Sequence, residues 1–194
     1  MSQPMRNVFR LFRHDQRGTF SLEFVLLVPI LLSLLLGVTE MTRFLMLNEK
    51  SQSVSSTVAD LVSQEQPGTL TTVLLTDLLR AAADVMSPYA FAQNGVVIIS
   101  SVTQTGTATT SNPPKVSWQV SGGGSYSAGS NIGSPGNTAN MPVGFTMDSG
   151  DNIIVAEVYY NYTPLYGTTI LSGRLLYKTS YYKPRLGALS APPT

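Results

Sequence analysis

Apolar residues fall into three regimes along this 194-residue chain. From Thr19 to Val38 they are nearly continuous (TFSLEFVLLVPILLSLLLGV). As a helix rising about 1.5 Å per residue, that run covers the roughly 30 Å hydrocarbon core of a bilayer, which predicts a transmembrane helix over 19–39. From Met41 to Gln64 the pattern becomes periodic: Leu45, Leu47, Val54, Val58, Leu61 and Val62 recur at helical spacing among polar residues. The anchor helix is therefore expected to run on as an amphipathic stalk over 40–66, until Gln66, Pro67 and Gly68 stop it. A second helix is predicted from the Thr69–Thr72 region to Met86, with Leu74, Leu75, Leu78, Leu79, Ala82 and Val85 on its apolar side and Ser87 and Pro88 at its end.

Beyond it, Val96–Thr105, Pro114–Val120, Asn152–Tyr162 and Arg174–Tyr182 are rich in β-branched and aromatic residues and bounded by turn formers, so they read as strands. The fold class that follows is α+β: an N-terminal transmembrane helix extended into a stalk, a second helix, and a mostly antiparallel sheet of about four strands. The extracytoplasmic domain is expected over 67–185. Within it, the Gly-, Ser- and Asn-rich stretch 121–144 predicts a long mobile surface loop, with GGGS at Gly122–Ser125 as a flexible linker. The tail 186–194 predicts disorder.

The apolar run contains one charge. A carboxylate deep in hydrocarbon costs about 2.5 kcal/mol or more, so Glu23 asks for a partner. Ahead of it stand Arg6, Arg10, Arg13, Arg17 and Asp15, a leader of net charge +3 with His14 neutral. The positive-inside rule puts residues 1–18 in the cytoplasm and the remainder outside it. Three readings are open for the segment: a plain signal anchor with Glu23 near the headgroups, a cleavable secretory signal, or cleavage between Gly18 and Thr19 that leaves the apolar helix as the mature N-terminus. The secretory signal fits worst, because the run exceeds the usual length of an h-region, about 15 residues, and carries an acid. Pro29 removes an N–H and frees the Val25 carbonyl, predicting a kink that membrane helices tolerate. Ser33 and Gly37 form a small-xxx-small pair that allows close helix approach.

Composition narrows the function further. Without cysteine there is no disulfide framework and no thiolate chemistry, and the single histidine, His14, lies in the leader. A cleaved chain therefore lacks the usual general base and imidazole metal ligands, and no phosphate-binding loop is present. Of 12 basic and 11 acidic residues the leader holds four and one, leaving 8 and 10 after cleavage, with no basic stripe of the kind that binds nucleic acid. An enzyme is not expected, nor a cofactor. Asp148, Asp151 and Asn152 in MDSGDN offer oxygen ligands, yet their spacing misses the calcium-loop pattern and equally describes a turn before a strand. Seven of nine tyrosines lie between Tyr159 and Tyr182, either as a contact surface or as ordinary strand residues. Arg174, Lys178, Lys183 and Arg185 read as a solvated basic face.

The stretch RGTFSLEF resembles a type IV prepilin-class processing site, in which a basic leader ends in glycine and glutamate is the fifth residue after the cut. TVADLVSQ (Thr57–Gln64), the membrane segment and GDNIIVAEVYYNYTPL (Gly150–Leu165) resemble TadE-like minor pilins of the tight-adherence, or Flp-type IVb, pilus system. That resemblance implies a prepilin peptidase acting after Gly18, with Gly18 and Thr19 as the processing junction and Glu23 as the assembly residue. It further implies other pilin and pseudopilin subunits and an inner-membrane assembly platform as partners, besides the lipid bilayer. The alternative it competes with is an unprocessed, signal-anchored periplasmic binding protein.

Overall fold

A computed structural model describes residues 17–109, 111–167 and 172–194 of the chain. The elements run α1 (Arg17–Ser63), α2 (Thr72–Val85), the single-turn α3 (Phe91–Asn94), β1 (Gly95–Thr103), β2 (Lys115–Gly122), β3 (Asn152–Tyr162) and β4 (Arg174–Tyr182). This is the expected α+β composition, and all three strand pairings are antiparallel. The chain divides into two compact units, a first ending at Thr42 and a second spanning Arg43–Thr194.

The first unit is the apolar part of α1. The helix passes through Pro29 without ending there.

The second unit is a four-stranded sheet in the order β2-β1-β3-β4. Strand alternation assigns its two faces. Val97 and Ile99 of β1 and Ile154, Ala156, Val158, Tyr160 and Tyr162 of β3 meet the helices, forming one core with Leu47, Val54, Val58 and Val62 of α1 and Leu75, Leu79 and Ala82 of α2. Leu45, Leu61 and Val85, expected on the apolar stripes, are instead 47%, 40% and 52% exposed. Two residues on a helix are about 200° apart, so Leu45 cannot share a face with Leu47. What completes the α1 face is small and polar: Ser51 and Ser55 are buried, Ser51 Oγ donating to the Leu47 carbonyl at 2.7 Å and Ser55 Oγ to the Ala156 carbonyl on β3 at 2.8 Å. Helix α2 opens on Thr71, whose side chain accepts from Leu74 N, an N-cap that satisfies one orphan donor.

The opposite sheet face is also covered, which explains why β1 and β3 are buried almost without alternation. Its cover is the Gly/Ser-rich stretch expected to be a mobile loop. Ile132 and Ala139 are buried against Val102, Val116, Ile153 and Val155, and Tyr126 and Ala128 pack on Val96, Ile98 and Tyr159. Small side chains let this segment lie flat and use its backbone: Ser125 N donates to the Ala92 carbonyl and Tyr126 N to Gly95, while Val116 N donates to Asn137 along the edge of β2. The expected GGGS linker is the tightest point. Gly123 takes φ +79°, and a Cβ on Gly124 would stand 2.2 Å from the Gly95 carbonyl oxygen. These glycines serve close backbone approach, not flexibility.

The tail expected to be disordered is fastened. Leu189 is buried, its carbonyl accepting from Trp118 Nε1 at 2.7 Å and Ser101 Oγ at 2.8 Å, and its N–H donating to Asn152 Oδ1 at 2.7 Å. Thr194 exchanges backbone hydrogen bonds with Leu70 and Thr72. The tail is short and buries one apolar side chain only, Leu189, so periodicity could not announce a clasp made of backbone groups.

Candidate functional site

The first unit carries the residues that the sequence singles out. By backbone, Gly18 and Thr19 lie at the start of α1, Glu23 follows on the next turn, and Pro29 is interior to the same helix. The leader expected over 1–18 is outside the described residues as far as residue 16. Phe24, Val25, Leu26 and Leu27 are consecutive and 59%, 66%, 63% and 54% exposed. At about 100° per residue they encircle the helix, so this stretch has no buried face. A helix apolar on every side requires an apolar surrounding, which a bilayer or packed partner helices supply. Three hydroxyls along this part of α1 bond to the helix's own carbonyls: Ser33 Oγ donates to Ile30, Thr39 Oγ1 to Leu36 and Thr42 Oγ1 to Val38, at 2.8–2.9 Å. Glu23 stands on the same uncovered surface. It is the one carboxylate between Arg17 and Thr39.

The second unit holds a polar centre that periodicity did not reveal. Glu157, on the middle of β3 and opposite Ile98 of β1, is 0% exposed. Its carboxylate accepts hydrogen bonds from Asn131 N at 2.9 Å, Tyr159 OH at 2.9 Å, Tyr177 OH at 3.0 Å and Ser130 Oγ. Two donors come from the covering loop and two from the sheet, so one acid ties the layers together. Burial, and then the charge of Glu157, push the Tyr159 and Tyr177 phenols well above their ordinary value. The only sequence signal for this centre is a lone acid in an otherwise uncharged strand. Such a buried, fully partnered carboxylate has no open face toward a substrate, and its chemistry is that of a fastener.

The remaining candidates resolve into structural contacts. In MDSGDN, Asp148 N donates to Asp151 Oδ2 at 2.9 Å, Asp151 Oδ1 pairs with Lys183 Nζ at 2.5 Å, and the Asn152 amide turns inward to Ser101 Oγ at 2.7 Å. The Asp151 and Asn152 side chains therefore point to separate partners, as a turn before a strand requires. The Lys183 hydrogen bond is the main cause that holds the Asp151 carboxyl below the usual aspartate value. Arg185 pairs with Asp60 at 2.5 Å. Of the clustered tyrosines, Tyr159, Tyr160 and Tyr162 are 3%, 2% and 0% exposed, which makes them core residues and not a contact surface. Among the described residues no group of three acids or histidines is placed to hold a metal ion.

The geometry defines an α+β protein headed by a helix long and apolar enough to cross a membrane. A family model described as TadE-like protein matches residues 18–60, so this stretch of the chain, from the proposed junction through most of α1, is TadE-like. That match implies a pilin-like protein associated with the Tad pilus, of a kind that is generally structural and non-enzymatic. Neither the curated proteins nor the solved structures contain a match to the chain.

Proposed function

We propose that this chain is a minor pilin or pseudopilin that supports assembly of a tight-adherence pilus. A prepilin peptidase cuts between Gly18 and Thr19 at the cytoplasmic face, and α1 remains in the inner membrane as the mature N-terminus with the sheet domain in the periplasm. The observation that carries the reading is the agreement of a TadE-like match starting at residue 18 with an opening run of α1, residues 19–38, that exposes apolar side chains around a full turn and bears one carboxylate, Glu23. Cleavage gives Thr19 a cationic amine one turn from Glu23. At about 4 Å and an effective dielectric near 20, opposite charges attract by about 4 kcal/mol, enough to offset the cost of about 2.5–3.5 kcal/mol for an acid at mid-membrane. When the amine comes from a neighbouring subunit, the same pair fixes the axial register between helices. Other pilin subunits and the inner-membrane assembly platform are the partners this role requires.

The test is the N-terminal residue and intact mass of the protein from its native membrane, with and without the prepilin peptidase. A chain beginning at Thr19 only when the peptidase is present is the expected result. A chain that keeps Met1, or is cut beyond Val38, refutes the reading and leaves a signal-anchored or secreted domain.

A further inference from the structure

Where the apolar run ends, the second unit opens with a cluster of cations and aromatic rings. The Arg43 guanidinium lies 5.8 Å from the centroids of both Tyr89 and Tyr162, and one of its nitrogens donates to the Thr163 carbonyl at 3.3 Å. Arg174 stands 5.2 Å over the Phe44 ring, which packs edge-on to Tyr162 at 5.3 Å. Arg43 thereby holds the start of the β3–β4 connection, and Arg174 its return. Beside these cations Leu165, Tyr166 and Leu175 are 64%, 42% and 46% exposed.

Chain continuity says what lies next to this surface. Arg43 follows Val38 by five residues, so chain length alone keeps it within about 18 Å of the end of the apolar run, while the headgroup layer on each side of a bilayer is about 5–7 Å deep. The cluster is thus tethered within reach of the phosphates. Guanidinium groups complement phosphate oxygens, tyrosine is enriched at the membrane–water boundary, and exposed leucines gain by entering the acyl margin. From this we infer that the β3–β4 end of the exported domain docks on the headgroup layer of the same membrane that holds α1, with Arg43 and Arg174 facing lipid phosphates and Leu165, Tyr166 and Leu175 entering the interface. The domain is then held down while it waits in the membrane, and extraction of the helix must release this second contact as well. The inference rests on the membrane-span reading of α1 and is independent of cleavage at Gly18.

The chain has no cysteine, so single nitroxide labels can be placed through Leu34→Cys, Val143→Cys and Tyr166→Cys in otherwise unaltered full-length protein. Each variant is reconstituted in nanodiscs of phosphatidylethanolamine and phosphatidylglycerol, and collision rates with oxygen and with a water-soluble nickel chelate are compared. Position 34 reports the span. Position 143 belongs to the loop before the far end of β3 and reports open solvent. The expected oxygen-to-nickel ratio at position 166 is several-fold above that at 143, falling toward it when Leu165→Glu and Arg174→Glu are combined in a protein of unchanged circular dichroism. Equal ratios at 166 and 143 overturn the docking. Protection from both reagents at 166, with spin–spin broadening relieved by unlabelled chain, also overturns it, because a second copy then covers the surface. Free chelate access at position 34 would instead sink the span itself, and the docking with it.

Discussion

Replacing Glu157 with alanine tests whether one buried acid fastens the loop layer to the sheet. Truncation removes the acceptor for four donors at once: Ser130 Oγ, Asn131 N, Tyr159 OH and Tyr177 OH. The two loop donors can turn to water if the segment lifts, whereas the tyrosine hydroxyls are held by the sheet, their rings packed 4.9 Å apart. Leaving two buried hydroxyls without an acceptor costs about 1–3 kcal/mol each, hence about 2–6 kcal/mol together. For a domain of this size that corresponds to a fall of roughly 5–20 °C in melting temperature. Glu157→Gln keeps one acceptor oxygen but turns an amide donor toward other donors, so it should fall between wild type and alanine. The assay is thermal unfolding of the full chain in detergent by near-ultraviolet circular dichroism, with hydrogen exchange resolved over residues 123–147. Exchange there should accelerate in both variants while the backbone of β1 and β3 stays protected. Melting of Glu157→Ala within about 0.5 kcal/mol of wild type, with unchanged loop protection, would refute the fastening argument.

Two further outcomes follow from the same face of the sheet. The Tyr159 and Tyr177 phenols are raised in the folded state, so their contribution is complete below the ordinary tyrosine value of 10.0 and is lost as pH climbs from there toward the folded values. Stability should therefore decline above about pH 10 more steeply than in a Tyr159→Phe, Tyr177→Phe variant, as read by chemical denaturation across alkaline pH. Gly124→Ala places a methyl where the Gly95 carbonyl oxygen stands at 2.2 Å and should cost about 1–3 kcal/mol, whereas Gly129→Ala, which has open space around it, should be close to neutral in the same melts.

The sequence disclosed elements wherever side-chain period carried the information. The strands at Asn152–Tyr162 and Arg174–Tyr182 fall where their β-branched and aromatic residues put them, and α2 begins at the Thr71 cap inside the predicted window. Legibility failed where backbone groups do the holding. Stretch 121–144 and the tail after Leu186 are poor in large apolar residues, and that composition reads as disorder. Yet Ile132 and Leu189 each place one apolar side chain in a covered position, and the surrounding amides and carbonyls make the bonds. The unbroken apolar runs Val96–Ile99 and Ile153–Ala156 were the available clue: a strand segment apolar on both sides needs cover on both faces. Glu23 was found because a charge in an apolar helix is conspicuous. Glu157 is the same anomaly in a strand, but tyrosines around it soften the contrast.

These two acids divide the protein's chemistry. Glu157 is surrounded by donors from its own domain, and among the described residues only Gln104 Oε1 and Thr179 Oγ1 are buried side-chain atoms without a hydrogen-bond partner. A domain so nearly satisfied within itself offers other molecules its surface and little of its interior. Glu23 stands instead on a helix whose apolar side chains face outward around a full turn. Burial of that surface has to come from outside the first unit, which has no second element to supply it among its described residues. On the proposed role, the energy of assembly would reside in this part of α1. A substitution in the sheet domain that leaves its fold intact should change which partners are met, while one at Glu23 should change whether the helices register at all.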